Sequence, residues 1–335
     1  MHFHQRIGRL SPDAVFEMDG YFVWCGTLTR AEDGTYYFYF SFWEKSLGFG
    51  AWVSHSKVGY ATGRELFGEF TYRGVALAGR GEGWDASAVH NPTVLCHGGK
   101  YYMYYMGNAG NGEFWDHRNR QRIGVAVADR PEGPWQRFDA PLIDVSPAGH
   151  DSLLTSNPSV AVGPDGKFHM IYKAVEDNGK LPVGGRVVCG TAVADSPLGP
   201  FRKSPSPVLV NPKEDWSVED AFLWVENGRF YVLAKDFSGY FTKAGKNHAA
   251  LFESENGRDF RPAADPVGYL RETVTVAGER LSFSFMERPQ IYFEEGRPRA
   301  LLCACMRDED PMTAKHSFHI RLPLDEELPS VKSKG

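Results

Sequence analysis

Short apolar runs separated by polar turns repeat five times along the chain. Each repeat opens on a polar or aromatic pair, continues as an apolar run, turns at a glycine and ends in a run rich in aromatic residues. The repeats begin at Trp24, His90, Ser156, Glu219 and Glu287. Successive starts lie between 63 and 68 residues apart. A period of this length predicts an architecture of repeated supersecondary units that pack against one another.

Each repeat predicts a β-hairpin, because two apolar runs flank a short turn that contains Gly. The turns lie at residues 32–34, 97–99, 164–166, 226–228 and 294–296. In two repeats a third strand ends at Asp129 or Asp195, and a Pro–Gly turn leads into a more polar fourth strand. No long stretch shows the 3.6-residue period of an amphipathic helix, so we expect few helices.

Four strands per repeat predict an all-β fold, namely a five-bladed β-propeller with four-stranded antiparallel blades. We expect residues 1–335 to form one such domain, with blades that start near residues 24, 90, 156, 219 and 287. The fifth repeat is one strand short. Residues 3–8 are predicted to supply that strand, so that the N-terminal segment closes the ring.

Composition and charge exclude several classes of function. The 335 residues are 42% hydrophobic and 14% aromatic, which is typical of a globular protein with a large core. The net charge of −5, without a long run of one sign, argues against nucleic acid as a partner. The chain contains no run of 18 apolar residues, so the sequence predicts no membrane span. The N-terminus lacks the pattern of a signal peptide, so we expect a cytoplasmic protein, or a secreted or periplasmic one if a leader was removed.

The cysteines predict neither a disulfide framework nor a zinc site. Their number is odd and their spacings match no metal-binding motif, so we expect all of them to be reduced and structural. They are Cys25, Cys96, Cys189, Cys303 and Cys305.

The residues that open the repeats predict a polar site on one face of the ring. The first strand of each propeller blade lines the central channel, so loops that enter these strands converge. The candidate ligand-binding residues at these openings are His90, Asn91, Asn157, Asp220, Glu287 and Arg288, and Trp43, Lys173 and Lys235 lie at the ends of the second strands. Such a ring suits a polyhydroxylated ligand, or forms an ion-paired rim without one. Because Lys173, Lys235 and Arg307 are positively charged, an anionic sugar is an alternative ligand.

An acidic residue recurs six positions upstream of the blade openings. Asp19, Asp85 and Asp151 lie 66 residues apart. Carboxylates on loops that face a common site are candidates for acid–base chemistry. The alternative is that these side chains bind local backbone and belong to the blade architecture.

The blade phrases resemble those of five-bladed glycoside hydrolases of families 43 and 117, and the resemblance spans essentially the whole chain. A third-strand phrase such as AVADSPLGPF at residues 192–201 carries it. The resemblance implies a glycoside hydrolase that removes terminal sugars, of the furanoside or anhydro-sugar type, from plant or algal oligosaccharides or polysaccharides. It requires no cofactor, although a structural calcium or another ion in the central channel is compatible with it.

The resemblance to family 43 implies that Glu219 is the general acid, although Ala221 replaces the family's proline. The family's catalytic Asp positions hold Cys25, Asn91 and Asn157 instead. This departure moves the candidate base to the upstream carboxylates.

Of the upstream carboxylates, Asp85 is the preferred base, Asp19 is its competitor and Asp151 is an orienting residue. The resemblance to family 117 makes His90 the alternative acid, ahead of His55 and His248. Both families imply inversion of the anomeric configuration.

Two other classes of function remain open at this point. A glycoside phosphorylase would need a basic pocket for phosphate, and a non-catalytic sugar-binding propeller would explain the lost Asp positions. The Gly-rich loops at residues 107–121 and 236–248 are predicted to form a specificity rim, since long loops in compact domains are commonly functional.

Overall fold

The computed structural model describes residues 2–311 and 313–325 and consists mainly of β-strands. In chain order the strands are β1 (Val15–Phe16), β2 (Tyr21–Arg30), β3 (Tyr36–Glu44), β4 (Lys57–Gly63), β5 (Thr71–Leu77), β6 (Ala88–His97), β7 (Lys100–Asn108), β8 (Arg122–Ala128), β9 (Gln136–Arg137), β10 (Leu154–Val162), β11 (Phe168–Val175), β12 (Val187–Ala194), β13 (Arg202–Lys203), β14 (Val218–Glu226), β15 (Arg229–Asp236), β16 (His248–Ser254), β17 (Arg261–Tyr269), β18 (Glu272–Val274), β19 (Arg280–Ser282), β20 (Phe285–Glu294), β21 (Arg297–Met306) and β22 (Phe318–Pro323). The helices are short. They are the 3-10 helices Phe3–Arg6, Pro12–Ala14, Lys45–Leu47 and Phe49–Ala51, and the α-helices α1 (Trp52–His55) and α2 (Phe114–Asn119).

Five four-stranded antiparallel sheets form a five-bladed propeller, which confirms the predicted fold. The sheets are β2–β3–β4–β5, β6–β7–β8–β9, β10–β11–β12–β13, β14–β15–β16–β17 and β20–β21–β22–β1. The inner strands β2, β6, β10, β14 and β20 are neighbours around the ring, and β20 lies against β2. A separate hairpin, β18–β19, lies between the fourth and fifth blades along the chain.

Each inner strand contains a β-bulge at the same position. The pairing of the inner strand with the second strand slips there in every blade. A residue with left-handed backbone occupies each bulge, with φ between 50° and 60°. These residues are Cys25, Asn91, Asn157, Asp220 and Arg288. None is β-branched, the class that this conformation strains most, and the bulge re-aims the side chains at the channel.

The N-terminal segment closes the ring, but through another strand than the sequence predicted. Val15–Phe16 forms the outermost strand of the fifth blade, where Val15 pairs with Ile320. Residues 3–6 form a 3-10 helix instead, and of the segment 3–8 only Ile7 makes a bridge, to Leu324. This helix buries Phe3 against Trp224, with ring centroids 5.7 Å apart. The segment is therefore held by core packing rather than by a strand ladder.

Repeated tyrosines connect neighbouring blades. The hydroxyl of Tyr39 in the first blade donates to the Pro131 carbonyl of the second, and Tyr104 in the second donates to Pro197 of the third. The sequence period thus recurs as a repeated contact between blades. In the described part of the chain, no helix is long and apolar enough to cross a membrane.

Candidate functional site

The five bulge residues join their side chains in a ring around the propeller axis, which we call the axial ring (Cys25, Asn91, Asn157, Asp220 and Arg288). The Cys25 thiol donates to the Asn91 carbonyl oxygen over 2.7 Å, and the Asn91 amide donates to Asn157. The Asn157 amide donates to Asp220 Oδ1 over 2.8 Å, and Arg288 Nη1 reaches the same oxygen at 3.3 Å. All five side chains are buried. The residues predicted to bind substrate at these positions are therefore hydrogen-bonded to one another.

A cavity of about 210 Å³ lies over the axial ring. Its walls include Glu219 and all nine candidate ligand-binding residues, but none of the three upstream aspartates. They also include Trp24, Phe49, Trp52, Gln121, Phe285, Met306 and Pro311. Pockets that enclose drug-sized ligands usually measure about 300–1,000 Å³. This smaller cavity therefore suits a single sugar ring.

Four charged side chains form one wall of the cavity, which we call the charged wall (Lys173, Glu219, Lys235 and Glu287). Lys235 Nζ lies 2.7 Å from Glu219 Oε2 and 3.0 Å from Glu287 Oε1. Lys173 binds the other oxygen of Glu219. The side chains of the two glutamates are only 16% and 11% exposed. Two carboxylates thus share one ammonium group inside the cavity.

The two glutamates differ in their affinity for a proton. Burial raises the pKa of Glu219, but the charges and hydrogen bonds of Lys173 and Lys235 outweigh burial and hold this pKa below its usual range. Burial also raises the pKa of Glu287. Lys235 lowers it in part, and the charges of Asp220 and Glu219 raise it again, so the net shift is upward. Glu219 is therefore the ionised carboxylate of the pair, and Glu287 is the better proton donor.

His90 is buried at the cavity wall with both ring nitrogens engaged. Nδ1 lies 2.7 Å from the Ser56 hydroxyl and Nε2 lies 3.5 Å from Cys25 Sγ. Burial, with a smaller effect of Arg288, holds the pKa of His90 well below its ordinary value. This shift disfavours the imidazolium form that the role of general acid would require. Burial likewise raises the pKa of the Cys25 thiol, which stays protonated.

The other two histidines considered as acids lie outside the cavity wall. His55 is exposed beside Ser54, and His248 accepts a hydrogen bond from the Arg271 backbone.

The three upstream aspartates do not reach the cavity, so the structure does not support their prediction as catalytic residues. Asp85 is fully buried and binds Tyr105, Arg80 and Arg137. Its side chain joins strands of the second blade.

Asp151 repeats this arrangement in the third blade with Tyr172 and Lys203, at 3.0 and 2.7 Å. Asp19 lies exposed in the turn before β2. Asp85 and Asp151 thus share one arrangement of partners in successive blades, whereas Asp19 does not.

Several residues of the cavity were not predicted from the sequence. Trp24 directly precedes the bulge residue of its blade, as Glu219 and Glu287 do in theirs. The alignment of the repeats could therefore have predicted Trp24 as a cavity residue. Trp52 and Gln121 lie in the loops that follow β3 and β7, where the repeat carries no information. The side chain of Trp52 lies against His90, with ring centroids 5.0 Å apart.

The axial ring does not fit a cation. Among the described residues no group of three or more His, Cys, Asp or Glu side chains is placed to hold a metal ion. The guanidinium of Arg288 supplies a positive charge within the ring itself. The channel ion that the resemblance allows finds no suitable donor set here.

Comparisons with known proteins agree on the fold. No protein-family profile matches the chain. One curated protein, xylosidase/arabinosidase 43A of Humicola insolens, is 33% identical over 104 residues, which cover 31% of this chain and 27% of that enzyme. The chain thus matches about a quarter of that relative's length.

Solved structures match over nearly the whole chain. A family 117 glycoside hydrolase of Zobellia galactanivorans has a TM-score of 0.65 and 21% identity, covering 95% of this chain and 89% of its own. A family 43 β-xylosidase/α-arabinofuranosidase from a compost metagenome, in complex with xylotriose, has a TM-score of 0.59 and 16% identity, covering 94% and 93%. The fold is therefore the five-bladed β-propeller of glycoside hydrolases from families 43 and 117.

Proposed function

We propose that the protein is a glycoside hydrolase that removes terminal sugars, of the furanoside or anhydro-sugar type, from plant or algal oligosaccharides or polysaccharides. The observation that carries the proposal is the pair Glu219 and Glu287, two carboxyl groups of opposite pKa shift on one wall of a cavity sized for one sugar. Glycoside hydrolysis uses such a pair, one group as acid and the other as base or nucleophile. The relatives that share the fold act on xylosides and arabinosides, which supports a carbohydrate substrate.

Glu287 takes the role of the general acid in this proposal, in place of Glu219. Its raised pKa keeps a proton available for the glycosidic oxygen of the leaving group. Glu219, held ionised by two lysines, faces the anomeric carbon as a carboxylate.

The separation of the two glutamates favours retention over the inversion that the resemblance implies. Two oxygens within about 3 Å of the same Lys235 nitrogen cannot be more than about 6 Å apart. Inverting enzymes need about 6.5–9.5 Å to fit a water, whereas retaining enzymes use about 5–5.5 Å.

In the first step Glu219 bonds to the anomeric carbon while the leaving oxygen takes the Glu287 proton. In the second step water gives its proton to Glu287 and displaces Glu219.

A phosphorylase receives no support from the cavity. Such an enzyme needs cations that are free to bind phosphate, but each cation of the cavity wall is already paired. Lys173 and Lys235 bind glutamates of the charged wall, and Arg288 binds Asp220.

The test is product release from aryl furanosides, aryl pyranosides and oligosaccharides of plant and algal origin, with and without phosphate. We expect turnover that is independent of phosphate, with a first product of retained configuration by proton NMR. Turnover that requires phosphate would make the protein a phosphorylase. An inverted product would contradict Glu219 as the nucleophile, because inversion requires water to attack the anomeric carbon directly. Binding without turnover would make it a sugar-binding propeller.

A further inference from the structure

A series of aromatic side chains leads from the cavity to the surface, which we call the aromatic shelf (Trp52, Phe114 and Trp115). Trp52 on α1 lines the cavity. The ring of Phe114 on α2 lies 6.2 Å from that of Trp52, and the Trp115 ring lies 5.4 Å from that of Phe114. Phe114 and Trp115 are both 37% exposed. Large rings are thus offered to solvent directly beside the mouth of the site.

Buried polar groups hold the aromatic shelf in place. The Asn108 amide donates to the Val53 carbonyl of α1 over 2.8 Å. Because His117 Nε2 accepts from the Gly112 N–H at 3.1 Å, its Nδ1 carries the proton and donates to Asn108 Oδ1 at 2.8 Å. A satisfied network of this kind fixes the helices that present the rings.

The third blade supports the other side of the aromatic shelf. Arg118 donates to the Val183 carbonyl over 2.9 Å, and its guanidinium lies 5.6 Å from the centroid of the Trp115 ring. Asn119 donates to the Pro182 carbonyl over 2.9 Å. The exposed rings therefore stand on a frame that joins three blades, and their exposure does not result from a loose loop.

The same loop sends one polar group into the cavity. Gln121 is 1% exposed and lines the cavity, and its Nε2 has no hydrogen-bond partner among the described residues. A buried amide donor without a partner is unfavourable unless a ligand supplies an acceptor. A sugar hydroxyl or ring oxygen in the cavity would be such an acceptor.

We propose that the loop at residues 109–121 and helix α1 form a second sugar subsite, next to the cavity and on the leaving-group side. The cavity holds the terminal sugar, to which Gln121 donates a hydrogen bond. The next sugar of the chain stacks its apolar face on Phe114 and Trp115. The substrate class is then an oligosaccharide of at least two units, in which a pyranose ring follows the terminal residue. This inference rests on the proposed function and assigns its substrate side.

The experiment compares substrates that fill only the cavity with substrates that also reach the aromatic shelf. The probes are a methyl arabinofuranoside, whose aglycone is too small to reach the aromatic shelf, and xylo-oligosaccharides of two to four units that carry a terminal arabinofuranosyl residue. The variants are the double substitution Phe114→Ala/Trp115→Ala and the single Gln121→Ala. Tyr72→Ala is the control, because Tyr72 is also exposed, at 38%, but lies on the outer strand β5.

We expect kcat/KM of the wild type to rise by about tenfold from the methyl glycoside to the oligosaccharide, as ring stacking supplies. The double variant loses this gain and keeps its activity on the methyl glycoside. Gln121→Ala lowers kcat/KM on both kinds of substrate, and Tyr72→Ala changes neither.

Failure of this inference differs from failure of the proposed function. Turnover by the wild type without a gain from chain length, or a gain that survives in the double variant, overturns the subsite. A double variant that changes only the oligomeric state in solution makes the aromatic shelf a contact between copies and also overturns it. If the wild type turns over no probe, the proposed function fails, and calorimetric titration with the same oligosaccharides tests the subsite by itself. Trp115→Leu replaces the double variant if that variant does not fold.

Discussion

Replacement of Lys235 by Met tests the charge balance of the cavity. The ammonium of Lys235 is 9% exposed and serves both Glu219 and Glu287. Methionine keeps the length of the side chain and removes the charge. Breaking a buried ion pair by removing one partner costs about 3–5 kcal/mol, because the remaining charge is left uncompensated. Glu219 keeps Lys173, so the loss falls mainly on Glu287. We expect Lys235→Met to lower the free energy of unfolding by about 3 kcal/mol at pH 7, the lower end of this range.

The pH dependence gives this prediction a sign. Without Lys235, the pKa of Glu287 in the folded protein rises further above its unfolded value. The folded state then binds the proton more tightly, so stability lost at pH 7 is regained as the pH falls toward the unfolded pKa. We expect the difference in unfolding free energy between the variant and the wild type to shrink between pH 7 and pH 5.

Urea unfolding followed by tryptophan fluorescence measures the loss of unfolding free energy at pH 7 and its change between pH 7 and pH 5. Lys100→Met is the matched control, since Lys100 pairs with Asp129 at 2.6 Å but on the exposed surface. Exposed pairs contribute little, so the control should unfold like the wild type at both pH values. A loss in Lys235→Met of less than about 1 kcal/mol, or one independent of pH, would refute the charge balance described here.

Three further predictions concern other parts of the molecule. Phe3→Ala should lower the free energy of unfolding by about 3–4 kcal/mol, because Phe3 is fully buried against Trp224; a melting temperature equal to that of the wild type would show that the N-terminal helix does not hold the ring. Asp85→Asn should lower the melting temperature and leave kcat/KM within about twofold, and a catalytic loss in the fully folded variant would return Asp85 to the mechanism. The pH profile of kcat/KM should fall on the alkaline side as Glu287 loses its proton above its raised pKa, and stay level on the acid side until Glu219 is protonated, below its usual range; an alkaline limb that persists in Glu287→Gln would assign it to another group.

The blades and the inner face of the ring could be predicted from the sequence because both follow the repeat. A period near 66 residues places Asn91, Asn157, Asp220 and Arg288 at one position of successive inner strands. Their convergence then follows from the propeller alone. Elements outside the period were harder to predict. The closing strand Val15–Phe16 has two residues, too few to show an alternating pattern, whereas residues 3–8 look more like a strand but form a 3-10 helix over residues 3–6.

The chemical roles could not be predicted because they depend on contacts between blades. The proton affinities of Glu219 and Glu287 differ through Lys173 and Lys235, which lie on second strands of the third and fourth blades. Lys235 is the cross-strand partner of Glu219 within one hairpin. The contacts of Lys173 with Glu219 and of Lys235 with Glu287 lie between blades, and no local pattern predicts them. Asp85 and Asp151 follow the repeat, and they bind partners that also follow it. Arg137 and Lys203, one blade apart, were the signal in the sequence for these two ion pairs.

The roles of the two glutamates are tested by comparing Glu287→Gln and Glu219→Gln on two glycosides of the same sugar, one with a dinitrophenolate leaving group and one with an alkyl alcohol. Dinitrophenolate leaves without protonation, whereas the alcohol needs an acid. We expect Glu287→Gln to lose about 10²–10⁴-fold in activity on the alkyl glycoside. Bond cleavage in the dinitrophenyl glycoside, followed as the first turnover, should stay nearly unchanged.

Glu219→Gln should lose activity on both substrates, because it removes the carboxylate at the anomeric carbon. Asp85→Asn serves as the folded control, with activity on both. The reverse result, with Glu219→Gln active on the dinitrophenyl glycoside and Glu287→Gln active on both, would contradict the assignment and restore Glu219 as the acid.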